Sequence, residues 1–368
     1  MAPLDRIEVK GYKSIREAAL DLRPLNVLIG PNGAGKSNLV SVFEMVRQIE
    51  ARRLQTYVAQ MGGANSLLHY GRHTTESIEI GLALGGGEAG SGYRCVLVPT
   101  AQDGLAFATE EVWEADLFRN GSPYVEPLGR GHLETRLHNY TVDPLPSATP
   151  YVLRTMQSWR VYHFHDTSES SKMRATGDLD DNAFFRDDAS NLAAYLYLLR
   201  EQEPDSYERI VATIQMVAPF FYDFALRPNP LNPRKIRLEW RDRGSEDYFD
   251  AHSLSDGTLR FICLVILLLM PYPPDTILID EPELGLHPYA IAVLAGLLRS
   301  AATRTQIIVS TQSVTLLNQL EPEDVIVVDR ENGASRFHRL DQSELDVWLE
   351  GYSLGELWEK NLLGGRPR

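Results

Sequence analysis

The chain is poor in several features that would commit a protein early. Only two cysteines occur in 368 residues, Cys95 and Cys263, each inside an apolar run. That excludes a disulfide framework or thiolate zinc site and predicts two reduced core thiols. Basic residues are outnumbered, 36 Lys and Arg against 50 Asp and Glu, for a formal net charge of −14. This balance argues against a surface that coats nucleic acid non-specifically. The deficit is uneven: residues 1–60 carry nine basic and six acidic side chains, residues 166–208 four and eleven. A local basic face for DNA on the N-terminal part therefore stays open. No apolar run is long enough to span a bilayer; the longest, Phe261 to Met270, stops at Pro271 and reads as a buried helix. There is no basic-then-apolar leader, so a cytoplasmic protein without membrane contact is expected. Repeats, heptads and low-complexity tracts are missing.

What is present is concentrated in three segments. Gly30-Pro31-Asn32-Gly33-Ala34-Gly35-Lys36-Ser37 fits the phosphate-binding loop G-x-x-x-x-G-K-[ST]. Backbone amides from Asn32 through Gly33, Ala34, Gly35 and on to Asn38 would cradle phosphates, Lys36 would reach their β/γ oxygens, and the Ser37 hydroxyl would ligate Mg²⁺. An apolar strand, Leu25 to Ile29, precedes it and a helical pattern follows, so the anion would sit at a helix N-terminus. Thr276 to Pro282 is a buried strand ending in Asp280-Glu281, one carboxylate for the metal side and one for the attacking water. Between them, Leu254-Ser255-Asp256-Gly257-Thr258 reads as a Ser N-cap opening the helix Thr258 to Met270. A cap with free amides is also how a γ-phosphate could be held. No Asn-Lys-x-Asp segment is present to read guanine, which favours ATP.

Elsewhere the pattern alternates. Ile7 to Lys10 and Ile15 to Leu22 predict strands, and the helix after the phosphate loop is expected to run to about Gln60. Ser77 to Leu84, Tyr93 to Pro99 and Leu105 to Trp113 read as strands, with a hairpin connection across Gly85 to Gly92. Residues 115–150 read as loop. Trp159 to Phe164 predicts a strand with His163 and His165 on one side, two ligands at most, so packing is expected rather than metal. Helices are expected over Leu192 to Leu199, Tyr207 to Val217 and Ala290 to Arg299, and strands over Ile236 to Trp240, Gln306 to Ser310 and Val325 to Asp329. The stripe Leu345, Trp348, Leu349, Tyr352, Leu357, Trp358 is expected to pack on its own lobe. The fold class is α/β: a mostly parallel core sheet, a mixed N-terminal sheet and a small helical subdomain. The expected division is 1–165 as N-terminal lobe, 166–230 as helical subdomain and 231–368 as C-terminal lobe.

Gly11-Tyr12-Lys13-Ser14-Ile15, the Gly30 to Asn38 loop, the Leu254 to Thr258 segment and Asp280-Glu281-Pro282-Glu283-Leu284-Gly285-Leu286-His287-Pro288 occur in that order. With Trp159 to Asp166 and Tyr352 to Glu359, they resemble the RecF-like and OLD-like branch of ABC-type ATPases. That branch includes SMC-type heads and many bacterial predicted AAA-family ATPases. The resemblance implies a P-loop NTPase of SMC-head type that dimerises around ATP and Mg²⁺. Asp280 would hold the metal through water and Glu281 would be the general base. Ser255 and Gly257 would meet the γ-phosphate held by a second copy, and Gly285 to His287 would form the D-loop joining the two sites. Two departures stand out. Gln312 occupies the switch position where ABC ATPases usually have His, and it cannot titrate near neutrality, although Gln can position a water. No Q-loop residue is assigned: Gln157 precedes its strand, and His165-Asp166 sits near the turn. Neither a long coiled coil nor a Toprim nuclease domain fits in the length. The expected role is an ATPase controlling a separately encoded DNA-directed or antiphage effector, such as a nuclease. One alternative is a repair ATPase that binds DNA directly; another is an ATP-gated scaffold with negligible turnover.

Overall fold

Strict alternation such as Ile78-Glu79-Ile80-Gly81-Leu82-Ala83-Leu84 buries every second residue, which makes half-covered strands. Continuous runs such as Leu25-Asn26-Val27-Leu28-Ile29 are buried on both sides. The computed structural model describes residues 3–85, 90–115, 123–140 and 148–364. Along the chain, β1 (Leu4–Tyr12), β2 (Ile15–Asp21) and β3 (Leu25–Ile29) lead to α1 (Lys36–Glu50), α2 (Leu54–Gln60) and α3 (Ala64–Leu67). Then come β4 (Ile78–Leu84), β5 (Ser91–Pro99), β6 (Leu105–Glu114), β7 (Tyr124–Gly129), α4 (Thr149–Gln157), β8 (Trp159–Tyr162) and β9 (Gly177–Asp178). A helical pair, α5 (Leu192–Gln202) and α6 (Pro204–Val217), precedes the short strands β10 (Phe221–Phe224), β11 (Lys235–Ile236), β12 (Glu239–Asp242) and β13 (Tyr248–Asp250). The rest is α7 (Asp256–Leu269), β14 (Thr276–Asp280), α8 (Pro288–Ala302), β15 (Gln306–Thr311) and α9 (Val314–Leu317), followed by β16 (Val325–Glu331), β17 (Ala334–Arg339), α10 (Gln342–Leu349) and α11 (Leu354–Glu359).

Two six-stranded sheets organise these elements. The N-terminal sheet has the order β2-β1-β4-β5-β6-β7 and pairs antiparallel throughout. The core sheet has the order β17-β16-β3-β15-β14-β8 and is parallel except for its β17 edge. Alternate residues of the core strands feed two different cores. Leu28, Val161, Leu278 and Ile308 join α1 and the N-terminal sheet. Val27, Ile277, Ile279, Ile307 and Val309 join α5, α6, α7 and α8, so the helical pair shares one core with the C-terminal helices. Cys95 and Cys263 are buried and free, and burial pushes the Cys95 thiol up to about 12.

Several expectations need correction. The helix after the phosphate loop is two helices, because Arg52 turns back with φ 56 and Arg53 restarts the chain as the N-cap of α2. Residues 115–150 are not all loop: Tyr124–Gly129 adds the edge strand β7, and α4 begins at Thr149. Within that range, 116–122 and 141–147 lie outside the described residues, as do 86–89 of the expected Gly85 to Gly92 connection. Ile236 to Trp240 is not one strand, since β11 pairs with β9 while β12 pairs with β10 and β13. The strand β17 had no expectation at all. In the C-terminal stripe, Leu357 is buried and Leu345, Leu349 and Trp358 pack on the core, while Trp348 stays half exposed.

One buried side chain ties the two sheets together. Gln306, 1% exposed, begins β15. Its Nε2 donates to Leu4 O at 2.9 Å and Arg23 O at 3.2 Å, and its Oε1 accepts from Leu4 N at 3.2 Å. Leucine there would take a partner from the buried Leu4 N–H and C=O, whereas Arg23 O would keep its bond from Asn26 Nδ2 at 2.6 Å. Urea unfolding of Gln306→Leu should show a loss of roughly 2–4 kcal/mol; an unchanged midpoint would mean that water replaces the amide.

Candidate functional site

The C-terminal ends of β3, β15 and β14 lie side by side, and a crevice at that edge is where open α/β sheets bind ligands. The loop after β3 has a backbone that only glycine adopts freely, with Gly33 at φ 78 and Gly35 at φ 119. A Cβ on Gly35 would stand 2.0 Å from Ser335 Oγ, whereas Gly33 has open space around it. Gly35 is the N-cap of α1 and supplies no side-chain cap, so the first amides of that helix are left for an anion. Ser335 fastens the loop: its Oγ donates to Ala34 O at 2.6 Å and lies 2.6 Å from Ser14 Oγ. Asn38, expected among the phosphate contacts, gives its side-chain amide to Ser14 Oγ at 2.6 Å. Asn32 and Ser37 are exposed at the mouth. Lys36 is 5% exposed and donates to Gly30 O at 2.6 Å and Pro31 O at 3.2 Å. Burial lowers its pKa, while the charges of Glu281, Asp280 and Glu283 act in the opposite direction.

Those carboxylates follow β14. Asp280 accepts from Ser310 Oγ of the neighbouring strand β15. Glu281 takes a left-handed backbone, φ 42, as the chain leaves the sheet, a conformation costly for a residue with a Cβ. Its amide donates to Ser310 O at 2.8 Å, and its Oε1 accepts from Gln312 Nε2. Because β15 runs between β3 and β14, Gln312 emerges between the phosphate loop and the carboxylates. Glu283 was not among the expected site residues. Its Oε1 accepts from Thr311 Oγ1 and, at 3.3 Å, from Gln312 N, while its buried Oε2 has no hydrogen-bond partner among the described residues. Burial is the main cause of its raised pKa.

Ser255 caps α7, its Oγ accepting from Thr258 N at 3.2 Å, and it faces solvent. Gly257 packs so closely that an added Cβ would stand 2.4 Å from Gly285 O, joining this segment to the loop after Glu281. Two buried arginines hold it. Arg174 donates to Ala251 O, to Leu254 O and, at 2.8 Å, to Asp256 Oδ1. Arg260 donates to Phe164 O at 2.9 Å, His165 O at 3.1 Å and Leu284 O. Sequence periodicity could not separate these arginines from surface ones. His287 caps α8, its Nδ1 accepting from Tyr289 N at 3.2 Å. His163 and His165 are exposed, with ring centroids 6.4 Å apart, so of the expected core or lobe-interface packing the core part does not hold. His165 borders a small crevice with Asp280 and Glu281, whereas Gln157 is turned away onto Glu50 at 2.8 Å.

A family model described as "AAA domain, putative AbiEii toxin, Type IV TA system" matches residues 130–318. The chain belongs to that AAA-domain family. A second model, "AAA ATPase domain", matches residues 3–84, which hold the phosphate loop. Over 69 residues the chain is 36% identical to the DNA replication and repair protein RecF of Acidothermus cellulolyticus, a match covering 18% of this chain and 19% of that protein. In fold it is similar to the Smc head domain derived from Pyrococcus furiosus, solved with an extended coiled coil and bound to the C-terminal domain of ScpA. The TM-score is 0.59 at 14% identity, over 95% of this chain and 99% of that one. The Pyrococcus yayanosii Smc head domain gives 0.51 at 13% identity, over 95% and 99%. The chain thus carries an AAA domain on an SMC-head fold.

At a phosphate loop, two oxygen donors per metal suit Mg²⁺, which keeps several waters and takes one or two protein ligands beside phosphate. The Asp280 carboxylate and the exposed Ser37 hydroxyl supply such donors, and no cluster of three or more His, Cys, Asp or Glu able to hold a metal exists among the described residues. Among the same residues no helix is long and apolar enough to cross a membrane.

The buried Glu283 carboxyl gives a pH test. Its raised pKa means that the fold favours the protonated form, so this contribution is full below the ordinary value of 4.5 and is lost as pH rises through the folded pKa. Glu283→Gln should therefore unfold at a higher temperature than wild type at pH 7–8, with the gap closing toward pH 4. A gap independent of pH would mean that the carboxyl stays neutral throughout.

Proposed function

We propose that this chain binds ATP with Mg²⁺, dimerises around two nucleotides and hydrolyses them slowly. The observation that carries the reading is the convergence of the phosphate loop on Lys36 with Asp280, Glu281 and Gln312, together with an exposed Ser255 whose hydroxyl, among the described residues, bonds only to Thr258. In this reading the α1 amides and Lys36 hold the β- and γ-phosphates. Ser37 and Asp280 would hold Mg²⁺, which when bound neutralises charge on the phosphate oxygens. Glu281 takes the proton of the attacking water, and Gln312, already bonded to that carboxylate, orients the same water. Ser255 and Gly257 meet the γ-phosphate of a second copy, through the free amides that a helix start offers. Exposed Leu284 and Tyr289, 49% and 52% accessible, flank the Gly285 loop and suit a face that a second copy would cover.

The cycle then controls a separately encoded DNA-directed or antiphage effector, such as a nuclease, in the cytoplasm. The RecF relative makes direct DNA binding in repair the first alternative, and an ATP-gated scaffold the second. Steady-state turnover separates them: stimulation by DNA favours repair, turnover without DNA favours the regulator, and none favours the scaffold. Glu281→Gln should keep ATP binding while turnover falls by about two to four orders of magnitude. Near-normal turnover in that variant would move the base elsewhere.

The composite site has its own test. Lys36→Ala and Ser255→Arg should each be inactive alone, one lacking the phosphate clamp and the other blocking the γ-phosphate contact. Mixed, a two-fold dimer with random exchange and independent sites should recover roughly a quarter of wild-type activity. If both sites must fire together, ATP-dependent dimerisation of the mixture is the readout. A Ser255→Arg protein hydrolysing ATP normally by itself would sink the trans contact.

A further inference from the structure

A second concave site lies against β8, the edge strand of the core sheet. Its volume is about 270 Å³, and none of its lining residues belongs to the phosphate loop, the Asp280-Glu281 pair or the Ser255 segment. Phe184, Phe185, Tyr195 and Tyr272 give it aromatic walls. Phe184 and Tyr272 are the accessible rings, 54% and 79% exposed. Among the described lining residues Arg160 is the sole cation and Glu203 the sole carboxylate. Glu203 Oε1 accepts from Tyr272 Oη at 3.0 Å. Among the described residues Arg160 spends only one nitrogen: Nη1 donates to Gln157 O at 2.5 Å and Trp159 O at 2.8 Å. Among the described residues no carboxylate lies within 4.0 Å of it; burial first and Arg47 second lower its pKa, while the more distant Tyr162, Asp187 and Glu50 act in the opposite direction. Nε and Nη2 remain as an unused fork, the edge of the guanidinium that binds carboxylates and phosphates bidentately.

We infer that this cleft is a second ligand site, for a nucleoside monophosphate. Arg160 takes the phosphoryl group through Nε and Nη2, Phe184 and Tyr272 take the face of the base, and Glu203 accepts from a base amino group. The volume lies just under the roughly 300–1,000 Å³ of drug-sized pockets, which admits one nucleotide and little more. The occupant would also touch the catalytic elements from behind. Met270, in the lining, is the C-cap of α7, whose other end carries Ser255. Pro274 leads into β14, and Tyr162 pairs with Ile279 just before Asp280. Occupancy therefore changes ATP turnover. That regulatory step rests on the proposed ATPase cycle; the binding itself does not.

The test is calorimetric titration of the full chain carrying Lys36→Ala, which cripples the phosphate loop, with AMP, GMP, CMP and UMP. Phenyl phosphate and benzoate serve as controls. Saturable binding of at least one mononucleotide, one per chain, is expected. It should weaken about tenfold or more in Arg160→Gln, which loses the charged fork, and by less in Arg160→Lys, which keeps the charge. An unchanged melting temperature certifies the fold of each variant. If Arg160→Gln is unstable, Arg160→Lys and Tyr272→Ala carry the test. No saturable mononucleotide binding, binding indifferent to Arg160 and Tyr272, or benzoate binding as tightly as the nucleotides would overturn the proposal. Fluorescent ATP binding to the chain with Lys36 intact is measured alongside. Its failure with mononucleotide binding preserved would count against the ATPase reading alone.

Discussion

The site depends on one electrostatic constraint, a buried ammonium opposite a group of carboxylates. Lys36 is almost wholly out of water and held by two backbone carbonyls. Its charge is costly there, and only Glu281, Asp280 and Glu283 pull in its favour. Neither half is comfortable without the other, because the carboxylates crowd one another where the sheet ends. A polyphosphate with its metal would resolve both problems, adding negative charge beside Lys36 and positive charge beside Asp280. Strand order makes the meeting possible: β15 separates β3 from β14, and its last residues reach both.

Around that pair the protein spends buried hydrogen bonds on position rather than on bulk stability. Ser335, on a strand near the far end of the chain, holds the phosphate loop from behind through Ala34. Glu283 holds Thr311 and Gln312 in the same manner. Arg174 and Arg260 fix the segment that presents Ser255, each through main-chain carbonyls more than carboxylates. A buried guanidinium bonded to neutral oxygens is an expensive device, most useful where a loop must be held in one place.

The candidate site residues were legible because phosphate chemistry imposes residue types at fixed spacing. Lys36, Ser37, Asp280 and Glu281 follow from such strings, and Ser255 follows from cap chemistry, which α7 obeys. The supporting residues were not legible. Ser335 lies three hundred residues from its partner Ala34, and no local pattern marks a serine as a fastening. Glu283 was named only as one letter of a motif, with no role, yet its carboxyl is buried. Core strands such as Ile277-Leu278-Ile279 read correctly as buried, but uniform hydrophobicity conceals which residue faces which core. The break at Arg52 went unseen because neither Gly nor Pro announces it, and β7 lacked the alternation that would have identified a strand.

The contact between Gly257 and Gly285 has a consequence for how two copies could communicate. There is no space for a methyl group between the segment that would read a partner's phosphate and the loop that follows the protomer's own Glu281. A displacement of one is therefore handed to the other with almost no slack. In a pair of such molecules, what one half-site feels would reach the opposite half-site within a single carbon's tolerance, like meshed gear teeth without backlash.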